Sequence, residues 1–257
     1  MMVAMMGQMI ALFTDFGAAG PYVGQTKAVL AARAPGVAVI DLMHDASAYH
    51  PKRAAYLLAA LVAGLPAGAV ILGVVDPDVG HAARRPVVVE VGGRFLVGPD
   101  NGLFAPLANQ AARRGQAARW WLITWRPETS SATFHGRDLF APVAAMLAEG
   151  APPPGEMLDP TRTIGADWPD DLSEIVYVDG YGNAMTGIRA DSLPPDAVLN
   201  VRGQTIAGAT TFSDVPVGAA MWYRNAFDLV EIAINRGQAA AVLDLRPGTE
   251  VQAVAAA

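Results

Sequence analysis

Acidic side chains, an imidazole and a pair of guanidiniums recur where strand-like runs of the sequence end. Thr14-Asp15-Phe16-Gly17 closes the first apolar run, and Asp41 with His44-Asp45 follows the second. Val75-Asp76-Pro77-Asp78-Val79-Gly80 closes the third, with Arg84-Arg85 just beyond. Gly98-Pro99-Asp100-Asn101-Gly102 and Thr133-Phe134-His135-Gly136-Arg137-Asp138 come later. A carboxylate and an imidazole can orient or deprotonate a water, and an arginine can stabilise developing negative charge. Each group also has a structural explanation. An Asp after a strand commonly serves as a turn or helix-capping residue. Asp138 could cap the helix containing Pro142, Asp100-Asn101-Gly102 is a tight-turn sequence, and His135 could be a hydrogen-bonded loop histidine. Several carboxylates with one His and one Arg still favour a site, because turns alone would use Gly, Asn and Ser as readily.

Other chemistries fit the residues less well. Asp15, Asp76, Asp78, His135 and Asp138 have the donor atoms for Mg²⁺, Mn²⁺ or Zn²⁺, but no H-x-x-x-H, H-x-D or EF-hand spacing occurs. The Arg84-Arg85 pair would also compete with a cation, so no metal is expected. Neither glycine-rich phosphate motif follows the first strand, and there is no G-x-S-x-G elbow for a serine nucleophile.

The elements that must position these residues alternate. Met9–Thr14, Val37–Leu42 and Ala69–Val75 read as strands, Tyr22–Ala34 as a helix, and a second helix starts near Lys52. Val87–Val91 and Arg94–Val97 flank Gly92-Gly93, a hairpin signature. This order predicts an α/β amino-terminal domain over 9–150, with a mainly parallel sheet and helices on both faces. In such sheets ligands collect outside the carboxyl ends of the strands. Pro152-Pro153-Pro154 opens a stiff linker over 151–171. From 172 to 257 short apolar runs with close turns, among them Glu174–Val178, Ala197–Val201, Thr205–Ala207 and Ala240–Leu245, predict a smaller antiparallel, β-barrel-like domain.

Composition narrows the classes. The chain has 257 residues, 53% apolar and only 16% charged, against about 25% charged in an average soluble domain. Disorder is excluded, because a disordered chain combines low hydrophobicity with high net charge. A net charge of −6 without a Lys/Arg run argues against nucleic acid or anionic lipid as partner. Ala54 to Val75 is uncharged and nominally long enough to span a bilayer, but Gly64, Pro66 and Gly68 divide it into helix, turn and strand, so no membrane span is expected. Met1–Thr14 lacks the basic region of a signal peptide, and zero cysteines suit a reducing compartment; a cytoplasmic location is expected.

Ordered motifs resemble one family. T-D-F-G at 14–17, Tyr22-Val23-Gly24 with Lys27, V-V-D-P-x-V-G at 74–80, G-P-D-N-G-L at 98–103 and T-F-H-G-R-D-L-F-A-P at 133–142 are similar to the S-adenosylmethionine hydroxide adenosyltransferases. Asp179-Gly180-Tyr181-Gly182-Asn183 and the stretch from Asn225 to Ala233 continue the match. The family is related to the fluorinases and chlorinases, which attack the same carbon with halide.

The resemblance implies hydrolysis of S-adenosylmethionine to adenosine and methionine, without a metal or organic cofactor. It implies homotrimers in which substrate lies between one subunit's first domain and a neighbour's second. The family's water-binding triad falls on Asp76, His135 and either Arg84, the first choice, or Arg85. Asp15 corresponds to the ribose-binding carboxylate and Tyr49 to an aromatic contact. Asp179, Tyr181, Asn183, Phe212, Asn225 and Glu231 match positions near adenine or the methionine end.

Three departures stand out: Asp78 replaces a Gly, Gly20 an Asp, and Ala226 a Ser, the last two removing expected contacts to the methionine end. Adenosine recognition is therefore better supported than methionine recognition. Retention of Asp76, His135 and the Arg pair favours a hydrolase over a halogenase. A sensor that binds S-adenosylmethionine or adenosine without turnover is the second reading, and a metal-dependent hydrolase the third.

Overall fold

The computed structural model describes residues 9–81, 83–194 and 196–254. The chain divides into two units, Met1–Leu58 with Leu65–Trp168, and Pro169–Ala257 with Ala59–Gly64. The first carries β1 (Met9–Thr14), α1 (Pro21–Arg33), β2 (Ala38–Met43), the first part of α2 (Pro51–Ala63), β3 (Val70–Val74), β4 (Pro86–Val91) and β5 (Arg94–Pro99). It continues with α3 (Ala105–Arg113), β6 (Ala118–Ile123), α4 (Ala141–Ala148) and β7 (Gly155–Leu158). Pro21, Pro51 and Pro106 sit at the first or second position of their helices, where a missing N–H breaks no helical bond.

These strands form one sheet in the order β2-β1-β3-β5-β4-β6-β7. Pairings from β2 through β5 are parallel, and those from β5 through β7 antiparallel, so five of seven strands run the same way. The direction changes at the β4–β5 hairpin, where Gly92 (φ 57°) and Gly93 (φ 73°) supply the left-handed turn. Ile10, Leu12, Val70, Leu72 and Val97 pack with Leu30 of α1 and the apolar α4. Ala11, Phe13, Ile71 and Leu96, of opposite parity, are equally buried, so both faces of the sheet are covered. The uncharged stretch resolves into the end of α2, a turn at Gly68 and β3; among the described residues no helix is long and apolar enough to cross a membrane. Within the Pro-rich segment 151–171, β7 pairs with β6, and the unit runs on to Trp168.

The second unit contains β8 (Leu172–Val178), β9 (Ala184–Arg189), β10 (Val198–Val201), β11 (Gln204–Ala207), β12 (Ala220–Arg224), β13 (Leu229–Ile234), α5 (Ala239–Val242) and β14 (Gln252–Val254). Its sheets, β12-β13-β9-β8 and β11-β10-β14, are antiparallel throughout. They share a core around Ile175, Leu199, Trp222, Val230 and Ile232. Ala240–Leu245, expected as a strand-like run, instead enters the short helix α5 and the turn after it. Consecutive alanines favour helix, and Ala239, Leu243 and Leu245 gain burial in that form.

Close packing of β3 and β5 leaves no room for a side chain at one point. A Cβ on Gly98 would lie 2.0 Å from the Gly73 carbonyl oxygen. Gly98→Ala should cost about 1–3 kcal/mol or more through this backbone clash, read as a lower urea midpoint. An unchanged midpoint would mean that the two strands can separate freely here.

Candidate active site

Parallel pairing sets Thr14 beside Val74, so the segments leaving β1 and β3 emerge together. The Asp15 N–H donates to the Val74 carbonyl (3.3 Å), and the Gly17 N–H to the carbonyl of His44 (2.7 Å). Thr14 Oγ1 lies 2.8 Å from His44 Nδ1, whose other ring nitrogen is 2.9 Å from Asp41 Oδ1. Lys27 donates to the second Asp41 oxygen at 2.6 Å. Asp41, His44 and Lys27 thus brace the loop that presents Asp15 and Phe16.

Asp15 and Asp76 line a cavity of about 260 Å³ with Phe16, Tyr22, Phe134 and His135. The aromatic rings meet at centroid distances of 5.3–6.2 Å. A Cβ on Gly136 would approach the Phe16 ring to 2.8 Å, so the glycine permits this close packing. Burial raises the Asp15 carboxyl above its ordinary range, and hydrogen bonding to the main chain at Asp15 and Tyr49 partly offsets this. Tyr49 itself has a left-handed backbone (φ 63°) and a largely exposed ring outside the cavity wall.

Asp76 and Arg84 form an ion pair whose side chains are only 5% and 7% exposed. Asp76 Oδ2 and Arg84 Nη2 are buried without a hydrogen-bond partner among the described residues. An unsatisfied buried polar atom costs about 1–3 kcal/mol, so the pair carries an unmet hydrogen-bonding demand. Arg85 turns elsewhere: it pairs with Asp100 and donates to the Arg162 carbonyl at 2.7 Å. Asp100 also accepts from the Ile164 N–H at 3.1 Å, which makes this second pair part of the scaffold. Burial lowers the Arg84 guanidinium to about 10, leaving it charged at neutral pH. His135 is held below the usual histidine range by burial, then by Arg84 and Arg126, against an opposing pull from Asp138.

The second unit has a larger cavity, about 580 Å³, lined by Asp179, Tyr181, Asn183, Phe212, Tyr223 and Arg236 among others. Asp179 Oδ1 accepts from the Tyr181 and Asn183 N–H groups, both at 2.9 Å, and so closes its own turn. Asn225 and Glu231 are not in the cavity wall but buried in the unit. Glu231 accepts from Tyr223 Oη and from Asn225 Nδ2, each at 2.7 Å, fixing the tyrosine that does reach the cavity.

Both halves match known sequences. Residues 10–157 match the SAM hydroxide adenosyltransferase N-terminal domain, and residues 173–252 match its C-terminal domain. The chain belongs to the SAM hydroxide adenosyltransferase family. It is 42% identical to an (R)-S-adenosyl-L-methionine hydrolase of Thermus thermophilus, over 93% of this chain and 96% of the relative. A hydrolase of the same name from Salinispora arenicola is 38% identical over 96% of this chain and 97% of its own length. Among solved structures, an uncharacterized conserved protein from Thermotoga maritima superposes with a TM-score of 0.83 at 31% identity, covering 95% of this chain and 99% of the other. A conserved hypothetical protein from Thermus thermophilus gives 0.73 at 36% identity, over 96% and 100% of the respective chains.

Of the departures from the family pattern, Asp78 is accommodated most simply. Its backbone is outside the left-handed region, and its N–H donates to Asp76 Oδ1 at 3.2 Å. Gly80 (φ 84°) is the position that needs glycine, since a Cβ there would lie 2.8 Å from the Ala132 carbonyl oxygen. Five residues lining the second-unit cavity, Tyr223, Ile234, Arg236, Gly237 and Gln238, escaped sequence reasoning. Tyr223 was detectable as the residue opposite Glu231 across a strand pair; Arg236 and Gln238 flank a glycine in an unremarkable turn.

Burial raises the Glu231 carboxyl above its ordinary value, with Asn225 and Tyr223 opposing. A raised folded-state value penalises folding wherever the unfolded side chain ionises first. Stability should therefore fall as pH rises from about 4.5 through the raised value, and Glu231→Gln should remove that component. Melting temperature against pH checks this; parallel curves for both proteins would contradict it.

Proposed function

We propose that the protein hydrolyses S-adenosyl-L-methionine to adenosine and L-methionine, using a water held by Asp76, Arg84 and His135. The observation that carries this reading is the buried Asp76–Arg84 pair with a bare oxygen and a bare nitrogen, at a cavity whose wall includes His135. Family membership and the names of the relatives supply the substrate class.

The water oxygen bonds to C5′ as the C5′–S bond breaks, and the bonding pair leaves with sulfur. Methionine departs as a neutral thioether, so the leaving group needs no acid. The enzyme's task is to hold one water in line and free of bulk solvent. Neutral His135 or the Asp76 carboxylate accepts the water proton, while Arg84 stabilises hydroxide character. Asp15 accepts from the paired ribose hydroxyls, and Phe16, Tyr22 and Phe134 give apolar walls to the nucleoside. In the second unit Asp179, Tyr181, Asn183 and Phe212 contact substrate directly, with Tyr223 positioned by Asn225 and Glu231. Tyr49 closes over the nucleoside from outside the cavity wall.

No metal or cofactor takes part, because a sulfonium is already an activated leaving group. A homotrimer with substrate between subunits is supported by the family resemblance and by exposed aromatics, Tyr22, Tyr49, Tyr181 and Phe212. The absence of cysteine supports a cytoplasmic location. The relatives' names specify the (R) configuration, and we extend that preference to the sulfonium accepted here.

Chelator-treated protein should convert S-adenosyl-L-methionine to equal amounts of adenosine and methionine, measured by chromatography. From a mixture of sulfonium epimers, the (R) form should disappear first. Tight binding without adenosine release would favour the sensor instead. His135→Ala should lower kcat by about 10²–10⁴-fold while leaving adenosine affinity intact. Because His135 stays neutral to lower pH than usual, the acid limb of kcat should fall below about 6.5 and vanish in that variant.

A further inference from the structure

A second cavity of about 260 Å³ opens on Arg84 and His135, with His81, Arg126 and Ser130 along its wall. His135 is common to these two cavities, whereas Asp76 lines the nucleoside-sized one and Arg84 the other. Their walls differ in chemistry. Aromatic rings and the Asp15 carboxylate line the first. No carboxylate lines the second, whose charged groups are Arg84 and Arg126 beside the imidazoles of His81 and His135. Arg126 is fixed at this wall by Nη1, which donates to the Ile123 and Trp125 carbonyls at 2.8 Å each.

Each turnover consumes one water, and a nucleoside filling the first cavity would obstruct its arrival from that side. We propose that the second cavity is the inlet and reservoir for the nucleophilic water, with Arg126 and Ser130 lining a route that reaches the reaction centre past Arg84 and His135. This rests on the hydrolysis proposed above. The space accommodates several waters at about 30 Å³ each. At its inner end the cavity reaches Arg84 and His135, and Arg84 is paired there with the buried Asp76. Its cationic wall favours a water with hydroxide character, and for the same reason it should admit a small monovalent anion in that water's place.

Two experiments on the intact protein test this. Ser130→Trp, which fills the cavity, should lower kcat about tenfold or more while KM and adenosine affinity stay within about twofold. Sodium nitrate, with gluconate holding ionic strength constant, should lower the wild-type kcat without raising KM. Arg126→Gln should weaken that inhibition several-fold, and Arg126→Lys should retain it. Wild-type kcat in folded Ser130→Trp would overturn the inlet, as would nitrate inhibition that is absent or competitive with substrate. Should Ser130→Trp fail to fold, the nitrate series decides by itself. Failure of the wild type to release adenosine would instead remove the hydrolysis reading on which the inlet rests.

Discussion

Removing a carboxylate and a guanidinium from water costs several kcal/mol per ion, and their mutual attraction repays this only when geometry is good and the remaining polar atoms are satisfied. Asp76 and Arg84 are paired and buried together, and they leave the second condition open. Much of the surrounding architecture serves that pair. Gly80 lets the intervening loop approach Ala132 closely, and the Asp78 N–H anchors one Asp76 oxygen. Arg85 is removed from competition by Asp100. A buried ion pair with bare atoms is an unfavourable structural element, and a cavity adjoins each partner.

The second unit is organised by different means. Its cavity presents aromatic and amide groups supported by a hydrogen-bonded layer beneath, in which Glu231 ties Tyr223 to Asn225. That layer places a carboxylate where burial opposes its charge, so conformational definition of the tyrosine is obtained at some expense in stability. Asp179 works similarly, using its side chain to close the turn that carries Tyr181 and Asn183. Asn225 and Glu231 therefore lie in the layer beneath Tyr223 and outside the cavity wall.

Much of the fold was legible because period and punctuation reflect local physics. β1 and β3 are continuous apolar runs since both faces of their sheet are covered, and Gly92-Gly93 specified the hairpin by needing positive φ. Where local signals were ambiguous, reading by period failed: the alanine-rich Ala240–Leu245 could alternate as a strand, but its backbone preference and buried leucines favour α5 and a turn. The mixed right-hand side of the first sheet was likewise implied only by the hairpin, since strand direction depends on partners distant in sequence.

For the site, residue types and their order pointed to Asp15, Asp76, His135 and an arginine, because charged groups are scarce in this chain and concentrate at strand ends. Adjacent arginines have the same intrinsic chemistry, so sequence could not separate Arg84 from Arg85. Only the tertiary structure sends one to Asp76 and the other to Asp100, because which carboxylate each reaches depends on how the loops after β3 and β5 pack. The same holds for the cavity beside Arg126 and Ser130: a void is a property of packing between segments, and no single segment encodes it. The sequence by itself determined the elements, the family and the reactive groups, since these follow from local preference and residue identity. Pairing, burial and empty space were decided in three dimensions, since each is a relation between distant parts of the chain.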